Sequence, residues 1–229
     1  MNLKELFETF NNEIQAQKDN INDAIKNVSL LNDSIVDIEL NKALDKNCID
    51  SKGKQNYHFA ESTYGDENNF SLSGYLRHDM PNYTDIFFGL TITIFKYTTD
   101  NLSNSMYIIR PAIDMGYLGD DDYHMNINQM CTTFLEPDVH MLKPSEYYDI
   151  IEKNYKNKNK AIYNYLHPGM VSVIEYKVGR GKGYYLVNTI DGFKKLLKFI
   201  FEKYWNFTNM YEKRYIQLHQ NGVENFKLP

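Results

Sequence analysis

The apolar positions of this chain change period along its length. At the start they follow heptads. With Phe7 as position a, the a series reads Phe7, Ile14, Ile21, Val28 and Ile35. The d series reads Leu3, Phe10, Gln17, Ala24, Leu31 and Ile38. Only Gln17 is polar, no proline or glycine occurs before Gly53, and the next a and d positions fall on Lys42 and Asp45. This spacing predicts a long helix over residues 1–46 with a coiled-coil-like seam. Leu6, Ile25, Leu30, Val36 and Leu40 lie off that seam and widen the stripe, as in a helix packed on its own domain. A straight helix of about forty residues spans about 60 Å, while a body of about 180 residues is only about 40 Å across. The stripe therefore pairs with another chain, or it folds back as a helical hairpin with Asn32-Asp33-Ser34 as the turn. The oligomerisation seam is Phe7, Phe10, Ile14, Ile21, Val28, Leu31, Ile35 and Ile38.

Residues 47–69 read as a linker, with turn-forming Asp50-Ser51-Lys52-Gly53-Lys54 and a second such run from Tyr64 to Asn69. From Phe70 the period becomes two. Phe70, Leu72, Gly74 and Leu76 alternate with polar residues, and Ile86, Phe88, Leu90, Ile92 and Ile94 alternate with Phe87, Gly89, Thr91, Thr93 and Phe95. Apolar residues on both faces give this second strand a central position. A third strand holds Met106, Ile108 and Arg110 on one side, so hairpins build an antiparallel sheet. Residues 114–144 are irregular. A helix then opens at Pro144-Ser145, with Ser145 as its N-cap and Tyr148, Ile151, Tyr155, Ile162 and Leu166 as its stripe. A hairpin around Gly179-Arg180-Gly181-Lys182-Gly183 joins residues 171–178 to 184–188. Asp191 caps a last helix that reaches about His219 and buries Phe193, Leu196, Leu197, Ile200, Phe201, Tyr204 and Trp205. The fold class is α+β: an antiparallel hairpin or meander sheet packed with helices, preceded by the N-terminal helix. The domain organisation is a helical segment at 1–46, a linker at 47–69 and a globular domain at 70–229.

Composition narrows the function classes. The chain has 229 residues, 42% hydrophobic and 24% charged, which excludes disorder and collagen. The apolar run 86–95 is far shorter than the roughly 20 residues a bilayer demands. The charged start at Lys4, Glu5 and Glu8 argues against a signal peptide. Cys48 and Cys131 form no disulfide framework, which points to reduced thiols and a cytoplasmic location. Asparagine is abundant, at 26 residues, and lysine outnumbers arginine 21 to 4, as in proteins from AT-rich genomes. The net charge of −5 divides unevenly. Residues 1–142 carry 10 basic against 22 acidic residues, and residues 143–229 carry 15 against 8. The molecule is polarised, with an acidic front and a basic, tyrosine-rich rear.

Four constellations carry potential chemistry. Asp122-Tyr123-His124 and Asp138-Val139-His140 are two Asp-x-His pairs able to ligate a divalent metal through alternate strand positions. Glu175-Tyr176-Lys177 resembles the Glu-x-Lys half of the PD-(D/E)xK nucleases, with Pro137-Asp138 upstream as the Pro-Asp half. The connection between the two halves departs from that family's short hairpin, because a helix intervenes. The glycine-rich turn with Arg180 and Lys182 offers amides and cations to a phosphate. Lys156, Lys158 and Lys160, interleaved with tyrosines, offer a nucleic-acid surface.

The strong heptads, without an equally strong catalytic motif, lead to a non-enzymatic intracellular interaction protein. It oligomerises, or docks a protein partner, through its N-terminal helix and needs no cofactor. A metal-dependent hydrolase is the first alternative, most plausibly a nuclease using Glu175, Lys177 and Asp138 with a divalent metal. Nucleic-acid binding by the basic C-terminal third is the second. No membrane partner is expected.

Overall fold

The structure, a computed structural model, describes residues 11–19, 30–50, 52–63, 70–80, 86–97, 106–117, 124–127, 136–155 and 184–220. Among the described residues seven strands form one antiparallel sheet: β1 (Tyr57–Thr63), β2 (Ser71–Asp79), β3 (Ile86–Tyr97), β4 (Met106–Tyr117), β5 (His124–Ile127), β6 (Val139–Leu142) and β7 (Tyr184–Val187). The order is β1-β2-β3-β4-β7-β6, with β5 also paired to β4. β3 is interior, as its two-sided apolar pattern requires. β4 pairs with β3 along its whole length, whereas its other side meets β7 only at 107–109 and β5 only at 113–116. Pro111 falls in the gap between those two ladders, where a missing N–H leaves no ladder bond unmade.

Among the described residues α2 (Asp33–Asn47) and α4 (Ile190–Gln220) cover one face and α3 (Pro144–Tyr155) the other, and a further helix, α1 (residues 11–19), is exposed along its length. The main core joins Val36, Leu40 and Leu44 of α2, alternate residues of the sheet, and Phe193, Leu196, Ile200 and Tyr204 of α4. A smaller core on the opposite face joins Phe95 and Ile108 to Tyr147 of α3 and Tyr184, whose rings stack at 3.7 Å. The stripe expected for α4 is the one buried. Among the described side chains of α3, Tyr147 is fully buried, while the expected stripe of Tyr148, Ile151, Tyr155, Ile162 and Leu166 lies outside the described side chains.

The N-terminal expectations need correction. The helix is not continuous. Leu30 bridges Thr189, Leu31 is extended and donates its N–H to Asn188, and α2 starts afresh with Asn32 as its N-cap. α2 buries Val36, Leu40 and Leu44, the residues off the heptad seam, while seam residue Ile38 is 50% exposed and Ile35 is only partly buried. The reason lies in β2. Gly74 has no Cβ, and one placed there would come within 2.9 Å of Leu40 and 3.1 Å of Leu44. The sheet accepts these two leucines closely and so selects the face of α2 that turns inward. Of the seam, Leu31 is buried in the same core, Ile14 is exposed, and Phe7, Phe10, Ile21 and Val28 lie outside the described residues.

The segment expected as a linker contains β1, a full member of the sheet. Its turn is ordered by Asp50, whose carboxylate accepts the N–H groups of Lys52 and Lys54, and by Gly53 at φ 77°. Two expected helix caps also shift. α3 starts at Pro144, and Glu146 reaches back to the Lys143 N–H at 2.7 Å, so Ser145 lies inside the helix. That hydrogen bond holds the Glu146 carboxyl below its ordinary value. α4 is capped by Thr189, whose hydroxyl accepts the Gly192 N–H at 3.1 Å; Asp191 lies in the first turn.

Candidate functional site

α2 and α4 lie side by side and run in the same direction. Lys194 meets Glu39 at 3.6 Å towards their N-terminal ends, and Trp205 Nε1 donates to Asn47 at 3.0 Å further along. Each helix turns one stripe into the sheet, and a groove of about 570 Å³ remains between them. Ala43, Leu197, Phe201 and Trp205 line it with apolar surface. Lys42, Lys46, Lys194 and Lys198 stand around it, with Glu39 and Glu202 the acids among them. Glu39 is shared by Lys42 at 3.0 Å and Lys194 at 3.6 Å, and Lys198 is 3.8 Å from Glu202. Lys46 forms no ion pair among the described residues. Four ammonium groups against two carboxylates leave the rim positive, and Trp205 is the chain's only tryptophan. A groove with an apolar floor and charged walls suits an amphipathic helix of opposite charge.

Behind Trp205 lies a buried polar cluster. Its indole packs edge-on against His78 of β2 at 5.4 Å. The His78 ring nitrogen Nδ1 lies 2.9 Å from the Asn56 side-chain oxygen Oδ1 and 3.8 Å from Asp50. Glu212 of α4 is buried and takes Lys52 at 2.7 Å. Burial lowers the His78 pKa, and the nearby Asp50 and Glu212 carboxylates oppose that shift. Among the described residues the buried Asn56 side-chain NH₂ has no hydrogen-bond partner. These groups fix the end of the groove and leave Trp205 little freedom to turn.

A second arrangement sits where α2 ends. His58 of β1 lies between Cys48 and Asp45, with Nδ1 3.0 Å from Sγ and Nε2 2.8 Å from the carboxylate. The order is that of a thiol–imidazole–carboxylate relay. Cys48 Sγ, however, also donates to the Asn56 carbonyl at 2.8 Å, and the residue is buried. Cys48 is the C-cap of α2, so helix carbonyls face this end, whereas an acyl oxyanion needs N–H donors. The arrangement ties the end of α2 to β1, and it lacks the surroundings of a nucleophile.

Most of the sites expected from sequence fall outside the described residues. Glu175, Lys177, Arg180, Lys182, Lys156, Lys158, Lys160 and Asp122 lie outside the described residues. Of His124 only the backbone, in β5, is described. Asp138 and His140 are both exposed, and His140 lies 3.7 Å from Glu146. β7 separates β4, which carries β5, from β6, which carries His140. Among the described residues no three His, Cys, Asp or Glu side chains are placed to hold a metal ion. No helix among them is long and apolar enough to cross a membrane.

No family model, curated protein or solved structure matches this chain. The groove was missed in the sequence because its walls are 158 residues apart at the Asn47–Trp205 contact. The available signals were Lys42 and Lys46, and Lys194 and Lys198, each pair four residues apart on a helix, together with a lone tryptophan on an amphipathic stripe.

Proposed function

We propose that this protein is a non-enzymatic interaction protein. Its binding surface is the α2–α4 groove, its partner is an acidic amphipathic helix of a protein, and its N-terminal segment supports self-association. The apolar strip of half-buried Ala43 and Trp205 between lysine walls, laid over the buried side chains of Leu197 and Phe201, carries this reading. Apolar side chains of the incoming helix would displace water from the floor, while its acids would meet the lysines and set orientation.

Trp205 makes the test direct, because its fluorescence reports on the groove alone. Titration of the full chain with a synthetic acidic amphipathic peptide should give a saturable change in that emission. The double variant Lys46→Glu/Lys198→Glu should weaken the peptide by about tenfold or more. An unchanged emission at saturating peptide, or an affinity indifferent to the reversal, sinks the reading.

A further inference from the structure

The occupant of the groove can be argued from the chain itself. α1 is helical, and every one of its residues is exposed, Ile14 at 43%. A single exposed isoleucine means little. Ile14, however, belongs to the sequence series Leu3, Phe7, Phe10, Ile14, the spacing of one helical face. Residues 1–20 carry Glu5, Glu8, Glu13 and Asp19 against Lys4 and Lys18, so the segment is acidic. It has the two properties that the groove selects.

Lengths agree as well. Continued as a helix back to Leu3, the series up to Ile14 would cover about 17 Å at about 1.5 Å per residue. The α4 wall of the groove, from Lys194 to Asn206, covers about 18 Å on the same rise. The tether also starts in the right place. Leu30 is fixed to Thr189, next to the end of α4 that carries Lys194. Residues 20–29 can reach about 33–36 Å when extended.

We infer that the N-terminal segment ending in α1 docks in the α2–α4 groove of a second copy of this chain. The inference rests on the groove being a helix-binding surface. No residue of α1 lines the groove of its own chain. Reciprocal exchange between two copies uses the same contact twice and closes as a two-fold dimer, with no open edge left for further growth.

The experiment uses sedimentation equilibrium and Trp205 emission on the full chain and on full-length variants, with far-UV circular dichroism to check folding. Ile14→Asp spoils the helix, and Lys46→Glu/Lys198→Glu spoils the groove; all three positions are exposed. The wild type should be dimeric and each variant alone monomeric. An equimolar mixture of the two should regain a dimer, because one sound helix meets one sound groove. Combining Glu13→Lys and Asp19→Lys with the groove reversal should restore association within one chain. A groove variant that stays dimeric overturns the inference in favour of a direct α1–α1 coil. A monomeric wild type whose Trp205 emission shifts on Ile14→Asp overturns it in favour of the chain's own helix. A monomeric wild type without that shift also overturns it. In that case the unrelated acidic peptide decides the groove separately: if it still binds, only the second-copy occupant has failed.

Discussion

His78 shows how burial alone can set a pH response. Its ring is enclosed by Asn56, Asp50 and Trp205, and burial holds its pKa below the ordinary value of 6.5. The unfolded chain therefore takes up this proton first as pH falls past about 6.5. The stability carried by the neutral ring is present above that pH and is lost as pH falls towards the folded-state value. Thermal unfolding of His78→Gln against the wild type between pH 7.5 and 5 should show the flatter profile in the variant; parallel profiles would contradict this. Cys48 makes a second prediction at this scale. Cys48→Ala leaves the Asn56 carbonyl and His58 Nδ1 without their sulfur partner, and should cost about 1–3 kcal/mol in denaturant unfolding. Neither environment is visible in the sequence. Cys48, Asn56 and His58 lie close together in the chain, but His78 and Trp205 reach the site only through the sheet and α4.

At the scale of elements, α2 carries the sharpest contrast between pattern and packing. Two stripes compete on it. The heptad seam offers Ile35 and Ile38, and the spacing Val36, Leu40, Leu44 offers a second face. Both satisfy helical periodicity, so periodicity cannot choose between them. Gly74 and the core beneath it choose the second. Leu40→Ala should therefore cost about 2–5 kcal/mol, while Ile38→Ala stays within about 0.5 kcal/mol, as measured by chemical denaturation. The start of α4 is equally constrained. A Cβ on Gly192 would sit 2.9 Å from Asp138 Cβ and 3.1 Å from its backbone carbonyl. Gly192→Ala should destabilise by about 1–3 kcal/mol in the same assay, because backbone must move to admit it. The body of α4 and the strands β2 and β3 were readable from sequence because their apolar stripes are long and unambiguous, whereas β4 was read only at its start, its last residues, 114–117, falling in a stretch expected to be irregular. β5 and β6 span four residues each, too short for a period to register, and β1 was hidden by the turn-rich residues on either side.

For the whole molecule, charge polarity takes a specific form. Lysines of α2, a helix in the acidic half of the chain, join lysines of α4 around one apolar strip, and the acidic N-terminal segment is the piece proposed to complement them. Affinity in the groove should fall as salt rises from about 0.1 to 1 M, because the Debye length shortens from about 10 to 3 Å. It should not vanish, because the apolar floor is indifferent to screening. A peptide titration at both salt concentrations checks this, and complete loss at high salt would assign binding to charge alone. The sequence by itself determined the α+β class, the central place of β3, the buried stripe of α4 and the presence of an acidic amphipathic N-terminal segment. These depend on residues a few positions apart, where side-chain period and backbone geometry are coupled directly. Tertiary structure placed the break at Leu30–Asn32, beside the Asn32-Asp33-Ser34 turn that the sequence offered as one of two readings, and it alone decided the face of α2 that is buried and the groove with the His78 cluster behind it. Lys52 and Glu212 meet across 160 residues, and Asn47 and Trp205 across 158. Contacts at such separation form only once the sheet has brought α2 and α4 together, and no local period records them.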